Sequence, residues 1–454
     1  MDRFMNPKSV AVIGASEDPR KGGYALVRNL KEKIPEHLYP INPGSSEICG
    51  LPAFKSIKDL PGPVDLGIVF IPAAAVPEVM DECGKKGISR IMIQSAGFAE
   101  TGPQGLALQE ACVLTARKYD MRVWGPNCMG MVNGSTGMVA SFMRPDIWRG
   151  YLKPGKVSLV VQSGMLSAGF MIQILKEGYF GLSKACSIGN RCDVNESDLL
   201  EYLAEDPQTE VIAMYLESII DASRFRKAMS RLQKPVVILK GGVSEEGAQA
   251  ARSHTGSLAG DGRLTEGFFR QMKIHRAADF FEMVDMARGL SLWKGREGGR
   301  RMGIVTFSGA SGIVASDHIA GLGMSLALLS PETVRTLQTI FPPWLAPQNP
   351  VDVWPAIERV GEKAFEVAIK AILADPQVDA LYLHLYMDGR VLKGGVKFLE
   401  VLRGASKPAA IWVMGDPQCF RKLRDIVEPF GVPVFTEVGR GARVLSMKLA
   451  SPHP

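Results

Sequence analysis

Short aliphatic runs that end at a glycine, a serine or a charged residue recur along this chain, and most are followed by a stretch of helical length. The first is Ser9-Val10-Ala11-Val12-Ile13-Gly14. A brief apolar run without alternation, bounded by turn residues, is the pattern of a strand buried on both faces of a parallel sheet. A glycine-bearing turn, Gly14-Ala15-Ser16 to Lys21-Gly22-Gly23, comes next, and residues 24–33 read as a helix. Further strands are expected over 66–71, 90–93 and 122–124, separated by helix-length segments. Parallel neighbours need a crossover, which a helix supplies, so this alternation implies a doubly wound α/β domain over residues 1–145.

The same rhythm returns twice. Lys156-Val157-Ser158-Leu159-Val160-Val161-Gln162 is a strand pattern, and Ser163-Gly164 opens a helix over 165–177. Strands over 211–216 and 235–240 fill out a second α/β domain, 151–294. The charged, glycine-rich Lys294-Gly295-Arg296-Glu297-Gly298-Gly299-Arg300 reads as a linker. Beyond it, Gly303-Ile304-Val305-Thr306-Phe307 leads into Ser308-Gly309-Ala310-Ser311-Gly312 and a helix to residue 320. Strands over 380–385 and 409–414 complete a third α/β domain, 300–454.

Composition adds boundaries. With 454 residues the chain holds about three domains. Hydrophobic residues at 46% and charged residues at 22% fit a globular protein, and no apolar run reaches the ~18 residues of a membrane span. The N-terminus runs straight into a strand pattern with no signal peptide, so a cytoplasmic location is expected. Seven scattered cysteines without a C-x-x-C pair indicate neither a metal site nor a disulfide frame. A net charge of +6 without a basic run gives no reason to expect nucleic acid, while capture of a small anion stays open.

Three features carry candidate chemistry. The first is the turn after residue 13, since strand, glycine turn and helix aim backbone N–H groups and a helix dipole at a phosphate. It is not a dinucleotide fingerprint. Ser16 stands where G-x-G-x-x-G needs its second glycine, and Tyr39-Pro40-Ile41-Asn42-Pro43-Gly44 lacks the acidic residue that would hold an NAD ribose. A phosphate-bearing ligand with no need of that carboxylate is expected, with Lys21 as a phosphate contact or simply a solvated lysine. The second feature is the pair of Ser-Gly turns, at 163–164 and 308–309, which present unpaired helix amides to an anion and equally resemble ordinary helix caps. The later one is not a serine-nucleophile elbow, because Ile313 breaks G-x-S-x-G.

The third feature is Ala250-Ala251-Arg252-Ser253-His254-Thr255-Gly256-Ser257-Leu258-Ala259-Gly260, small and polar enough to be read as a loop. His254 at its centre is either a solvated surface histidine or a nucleophile able to accept and pass on a group. Glu217, directly after the strand over 211–216, is expected at the carboxyl edge of the same sheet. There a carboxylate on one imidazole nitrogen leaves the other free to attack.

Taken together these motifs resemble the α subunit of the NDP-forming acyl-CoA synthetases, a family that includes ADP-forming acetyl-CoA synthetase and is related to succinyl-CoA synthetase. The likeness runs nearly end to end. Ser-Val-Ala-Val-Ile-Gly-Ala-Ser with Lys21-Gly22, Ile68-Val69-Phe70-Ile71-Pro72 and Gly125-Pro126-Asn127-Cys128-Met129-Gly130 are similar to its CoA-binding domain. The resemblance implies a Rossmann-like CoA-binding domain followed by two flavodoxin-like domains. It places CoA against Gly14, Ser16, Lys21, Gly22, Asn42, Pro43, Ile71, Pro72 and Asn127. Ser163-Gly164 and Ser308-Gly309-Ala310 match the starts of the family's two "power helices", which hold a phosphohistidine. Ser253-His254-Thr255-Gly256-Ser257 matches the mobile loop that carries it, with Glu217 as the orienting carboxylate, and Asn349-Pro350-Val351-Asp352 matches a motif of the third domain.

The implied reaction interconverts acyl-CoA, phosphate and ADP with a free acid, CoA and ATP, by way of an acyl phosphate. Nothing in the chain resembles the ATP-grasp domain that binds nucleotide and Mg²⁺ in this family, and no Walker motif replaces it. A separate ATP-grasp β subunit in an α2β2 assembly is therefore expected to hold the Mg²⁺ and ADP or ATP. The competing expectation is a CoA- or acyl-CoA-binding regulator without catalysis, which would need only the first domain.

Overall fold

The computed structural model describes residues 1–255, 262–293, 295–389 and 396–447, of which 251–255 are described only as part of a helix. They fall into two compact units, residues 1–287 and 288–454.

The first unit contains two sheets. Its N-terminal sheet joins β1 (Val10–Ile13), β2 (Leu38–Ile41), β5 (Leu66–Val69), β6 (Arg90–Ile93) and β7 (Arg122–Trp124). All run parallel in the order β2-β1-β5-β6-β7, and a small hairpin of β3 (Glu47–Ile48) and β4 (Leu51–Pro52) stands beside it. Every residue of β1 and β5 is buried, as uninterrupted aliphatic runs require. Because β1 sits between β2 and β5, the chain leaves its end in opposite directions, and that point of reversal is where open α/β sheets bind ligands.

The second sheet follows the order β14-β13-β12-β10-β11-β8-β9. A hairpin of β8 (Gly130–Asn133) and β9 (Met138–Ala140) forms one edge and pairs antiparallel with β11 (Leu182–Ser187). β10 (Pro154–Val161), β12 (Val211–Leu216), β13 (Val236–Lys240) and β14 (His275–Ala277) continue it in parallel with β11. Residues 130–140, which precede the second domain in sequence, thus complete its sheet. The helix Gly164–Glu177 follows β10, and Glu196–Glu205 follows β11.

The second unit begins inside the helix Phe280–Leu292 rather than in the glycine-rich stretch that reads as a linker. Arg288 is buried, paired with Glu428 and bonded to the Val434 carbonyl, and the fully buried Trp293 indole donates to the Ala409 carbonyl at 3.0 Å. These contacts bind the C-terminal end of that helix into the unit that follows. Its sheet has the order β16-β15-β18-β19-β20, with β17 also on β15, and all pairs are parallel. The strands are β15 (Arg301–Thr306), β16 (Ser325–Leu326), β17 (Val351–Asp352), β18 (Ala380–Met387), β19 (Ala409–Gly415) and β20 (Val434–Phe435). Among the described residues no helix is long and apolar enough to cross a membrane.

Candidate active site

The loops leaving β1, β2 and β5 enclose a cleft of about 620 Å³ at the point of reversal in the first sheet. Gly14, Ser16, Lys21, Gly22, Asn42, Pro43, Ile71 and Pro72 line it. Glycine is required at its base, because Gly14 has φ +93° and a Cβ there would lie 2.2 Å from the Phe70 carbonyl oxygen. A Cβ on Gly23 would likewise stand 2.0 Å from the Gly14 oxygen, so the helix start at 22–23 can close on the turn only without side chains. Asn42, in place of a ribose-binding acid, donates to the Ala15 carbonyl at 2.8 Å and accepts from Gly44 N–H at 2.8 Å, tying two walls together. Bare amides and the ammonium of Lys21 suit the phosphates of a CoA-like ligand. Sequence reading passed over Lys55 and Ser56, which also line the cleft. They follow the small hairpin, and only the fold brings them to β1.

Asn127 is not among the residues lining this cleft. It has a left-handed backbone, φ +56°, and its amide donates to Asn190 Oδ1 at 3.3 Å. Asn190 in turn donates to Glu100 at 2.6 Å and Gln109 at 3.0 Å. Gly189 interlocks with the same turn, since a Cβ there would meet the Pro126 oxygen at 2.1 Å. The Asn127 carbonyl lies 3.9 Å from where a Cβ on Gly164 would be, so this residue belongs beside the first Ser-Gly turn.

That turn is built from the strand ends of the second sheet. Ser163 caps the helix Gly164–Glu177, its hydroxyl accepting from Leu166 N–H at 3.4 Å. Gln162 is buried, and its Oε1 accepts from Glu217 N–H at 2.8 Å and Ser218 N–H at 3.4 Å. The end of β10 therefore grips the end of β12. Lys240, at the end of β13, donates to the Glu217 carbonyl at 2.6 Å. Burial holds the Lys240 ammonium below its ordinary pKa, against the opposing pull of Glu217.

A buried ion pair completes the support. Arg191 donates to Glu196 at 2.9 Å, to the Ser218 carbonyl at 2.9 Å and to the Ser218 hydroxyl at 2.9 Å, while the other Glu196 oxygen accepts from Ile220 N–H at 2.7 Å. Both partners of the pair thus hold residues 218–220, immediately beyond Glu217. The Glu217 carboxylate is buried and accepts from the Tyr215 hydroxyl at 3.4 Å. Burial, then the Glu217 charge, pushes the Tyr215 phenol up to about 12, which keeps it a donor at neutral pH. The result is a buried carboxylate on a backbone segment fixed beside a helix N-terminus.

The stretch expected to be a loop around His254 is helical as far as Thr255, in the helix Glu245–Thr255. Ser244 starts it, its hydroxyl accepting from Gly247 N–H at 3.0 Å. Ala248, Gln249, Ala250, Ala251 and Arg252 are strong helix formers and outweigh the small polar residues that follow them. The His254 side chain and residues 256–261 lie outside the described residues.

In the second unit, Ser308 stands at the N-cap of the helix Gly309–Gly321, with φ −147°, and its side chain makes no cap bond. Thr306 instead fixes the cap residue itself. Its hydroxyl donates to the Ser308 carbonyl at 2.8 Å and accepts from Ser308 N–H at 3.1 Å. Gly309 and Ala310 are exposed at the start of the helix. Asp352 borders the turn, its Oδ2 lying 3.0 Å from where a Cβ on Gly309 would be. Asn349 anchors the Asn-Pro-Val-Asp segment, donating to the Met302 and Ala327 carbonyls at 2.8 and 3.0 Å and accepting from Ile304 N–H at 2.9 Å. Pro350 packs on Gly312, where a Cβ would stand 2.9 Å from the proline ring.

A domain with a cleft at the point of reversal of its sheet thus precedes two further α/β modules whose helices open at Ser-Gly turns. Residues 8–134 match the CoA binding domain family, 154–290 the succinyl-CoA ligase like flavodoxin domain, and 302–403 the ligase-CoA domain. The α subunit of ADP-forming acetate–CoA ligase II from Pyrococcus furiosus is 40% identical, over 96% of this chain and 94% of that one. The ADP-forming acetate–CoA ligase II of Archaeoglobus fulgidus is 34% identical over 97% of this chain, which spans 65% of that longer protein. In three dimensions the chain is similar to acetyl-coenzyme A synthetase 1 of Ca. Korarchaeum cryptofilum, solved with phosphate and ADP. The TM-score is 0.88 and the identity 31%, with 98% of this chain and 96% of that one covered. The chain belongs to the ADP-forming acetate–CoA ligase family.

Proposed function

We propose that this chain handles CoA and phosphate in the reversible conversion of acyl-CoA, phosphate and ADP into carboxylic acid, CoA and ATP, with His254 as the phosphoryl carrier. Phosphate attacks the thioester carbonyl and CoA leaves as the thiol, giving an acyl phosphate. The neutral imidazole of His254 then attacks phosphorus, the free acid departs, and the phosphoryl group passes from His254 to ADP. Glu217 holds the tautomer that leaves one ring nitrogen free to attack. The amides after Ser163 and those of Gly309 and Ala310 stabilise phosphate, each helix start contributing up to ~2 kcal/mol in favourable geometry.

The observation that carries this reading is the buried carboxylate of Glu217, on a residue whose backbone N–H is held by Gln162 beside the Ser163 turn. A buried carboxylate beside a helix start suits a cation-forming imidazole better than a bare anion. The nucleotide and its Mg²⁺ are assigned to a separate ATP-grasp β subunit, in an α2β2 enzyme of the cytoplasm. Adding that subunit to the chain with acyl-CoA and labelled phosphate tests the proposal. The expected product is an acid-labile phosphoenzyme labelled on His254, absent in His254→Ala and formed more slowly in Glu217→Gln with CoA affinity unchanged. Persistent ADP-dependent turnover by His254→Ala would refute it.

A further inference from the structure

His384 lies on β18, opposite Thr306 in the parallel register of β15 and β18. It is 4% exposed, and its ring packs on Trp412 with centroids 4.2 Å apart. Nδ1 is 3.0 Å from the Thr306 hydroxyl, and Nε2 is buried with no hydrogen-bond partner. One assignment of protons satisfies every contact of Thr306. Its single hydroxyl proton goes to the Ser308 carbonyl, so its oxygen accepts both Ser308 N–H and a proton on His384 Nδ1. That leaves Nε2 as a bare lone pair. Burial supports a neutral ring, pushing its pKa down to about 4.

A buried imidazole with one unmet nitrogen is an expensive way to fill space beside a tryptophan. Its one bond fixes the orientation of a hydroxyl that itself holds both backbone groups of the N-cap residue. We infer that Thr306 and His384 form a positioning pair for the second phosphate turn, holding Ser308 so that the amides of Gly309 and Ala310 stay aimed outward at phosphate. Ser308 makes no cap bond of its own, so without the pair the first turn of the helix would swing or cap itself. The inference rests on the phosphate role proposed for this turn.

The test is steady-state kinetics of the enzyme reconstituted with its partner subunit, in the direction that consumes acyl-CoA and phosphate, with thermal melting of each variant. Thr306→Val removes the hydroxyl at constant shape, and Thr306→Ser restores it. His384→Leu removes the donor, and His384→Asn returns an N–H at the Nδ1 position. The expected result is a KM for phosphate raised about five- to tenfold in Thr306→Val and His384→Leu, from loss of ~1 kcal/mol of hydrogen bonding. The KM for acyl-CoA should be unchanged, and Thr306→Ser and His384→Asn should return the phosphate KM to within about twofold of the parent. If the two disruptive variants melt lower yet keep the parental phosphate KM, the pair is merely structural and the inference is overturned. If the unaltered enzyme turns over without any dependence on phosphate, the functional reading itself fails, and this inference with it.

Discussion

The two Ser-Gly turns look interchangeable in sequence, and the molecule builds them by opposite means. At Ser163 the serine caps its own helix, and its surroundings are held by charge. The buried Arg191–Glu196 pair and Lys240 clamp the segment that carries Glu217. At Ser308 the serine caps nothing. A threonine and a neutral histidine hold the residue from the strand beneath it, and the nearest carboxylate, Asp352, borders the turn itself. An identical local motif therefore says where a helix begins without saying what fixes its first amides. The difference is one of surroundings: the first turn has a buried carboxylate beside it, while the second leaves Gly309 and Ala310 exposed at the helix start.

The largest effect expected from breaking this contrast is at the charged turn. Arg191→Leu strands Glu196, 0% exposed, without its partner, and should lower stability by about 3–5 kcal/mol in denaturant titration. Changes at the Ser308 turn should cost less at neutral pH. The neutral turn should instead show itself in pH dependence. His384 is near its ordinary pKa of about 6.5 when unfolded and at about 4 when folded, so the unfolded chain binds the extra proton. Stability should be full above pH 6.5 and fall toward pH 4, by about 3 kcal/mol from this group alone. His384→Asn should remove that component of the acid slope, which parallel chemical denaturation at several pH values would reveal.

Smaller effects sharpen the comparison. Gly312→Ala pushes a methyl group against Pro350 and should destabilise the second unit by about 1–3 kcal/mol, whereas Gly164→Ala meets nothing closer than 3.7 Å and should be tolerated. Ser163→Ala loses a cap and should lower the melting stability by about 0.5–1 kcal/mol. Ser308→Ala should leave it within a few tenths, because Thr306 provides the hold.

What could be read from the chain follows the same line. Strands such as Val10–Ile13 and Val211–Leu216 were legible because burial on both faces demands an unbroken apolar run, and the turn after β1 demands glycine at its start. The turn after Gly14 and Lys21 came from such local logic, whereas Asn42, Pro43, Ile71 and Pro72 came from the family resemblance. Asn127 was expected in that cleft and stands beside Gly164 instead, because its direction is set by Asn190, far along the chain. The pairing of residues 130–133 with β11 was hidden for the same reason. Gln162, Arg191, Thr306 and His384 carry no signal of their own in sequence. Each matters through one partner that only the sheet register supplies.

The most direct measurement of the central claim is site mapping of the phosphoenzyme. The reconstituted enzyme, quenched in base during turnover of acyl-CoA with labelled phosphate and digested, should carry its acid-labile label on the peptide containing His254, at a rate fast enough to account for ATP formation. Label on any other residue, or full-rate ATP formation with His254 never labelled, would contradict the account.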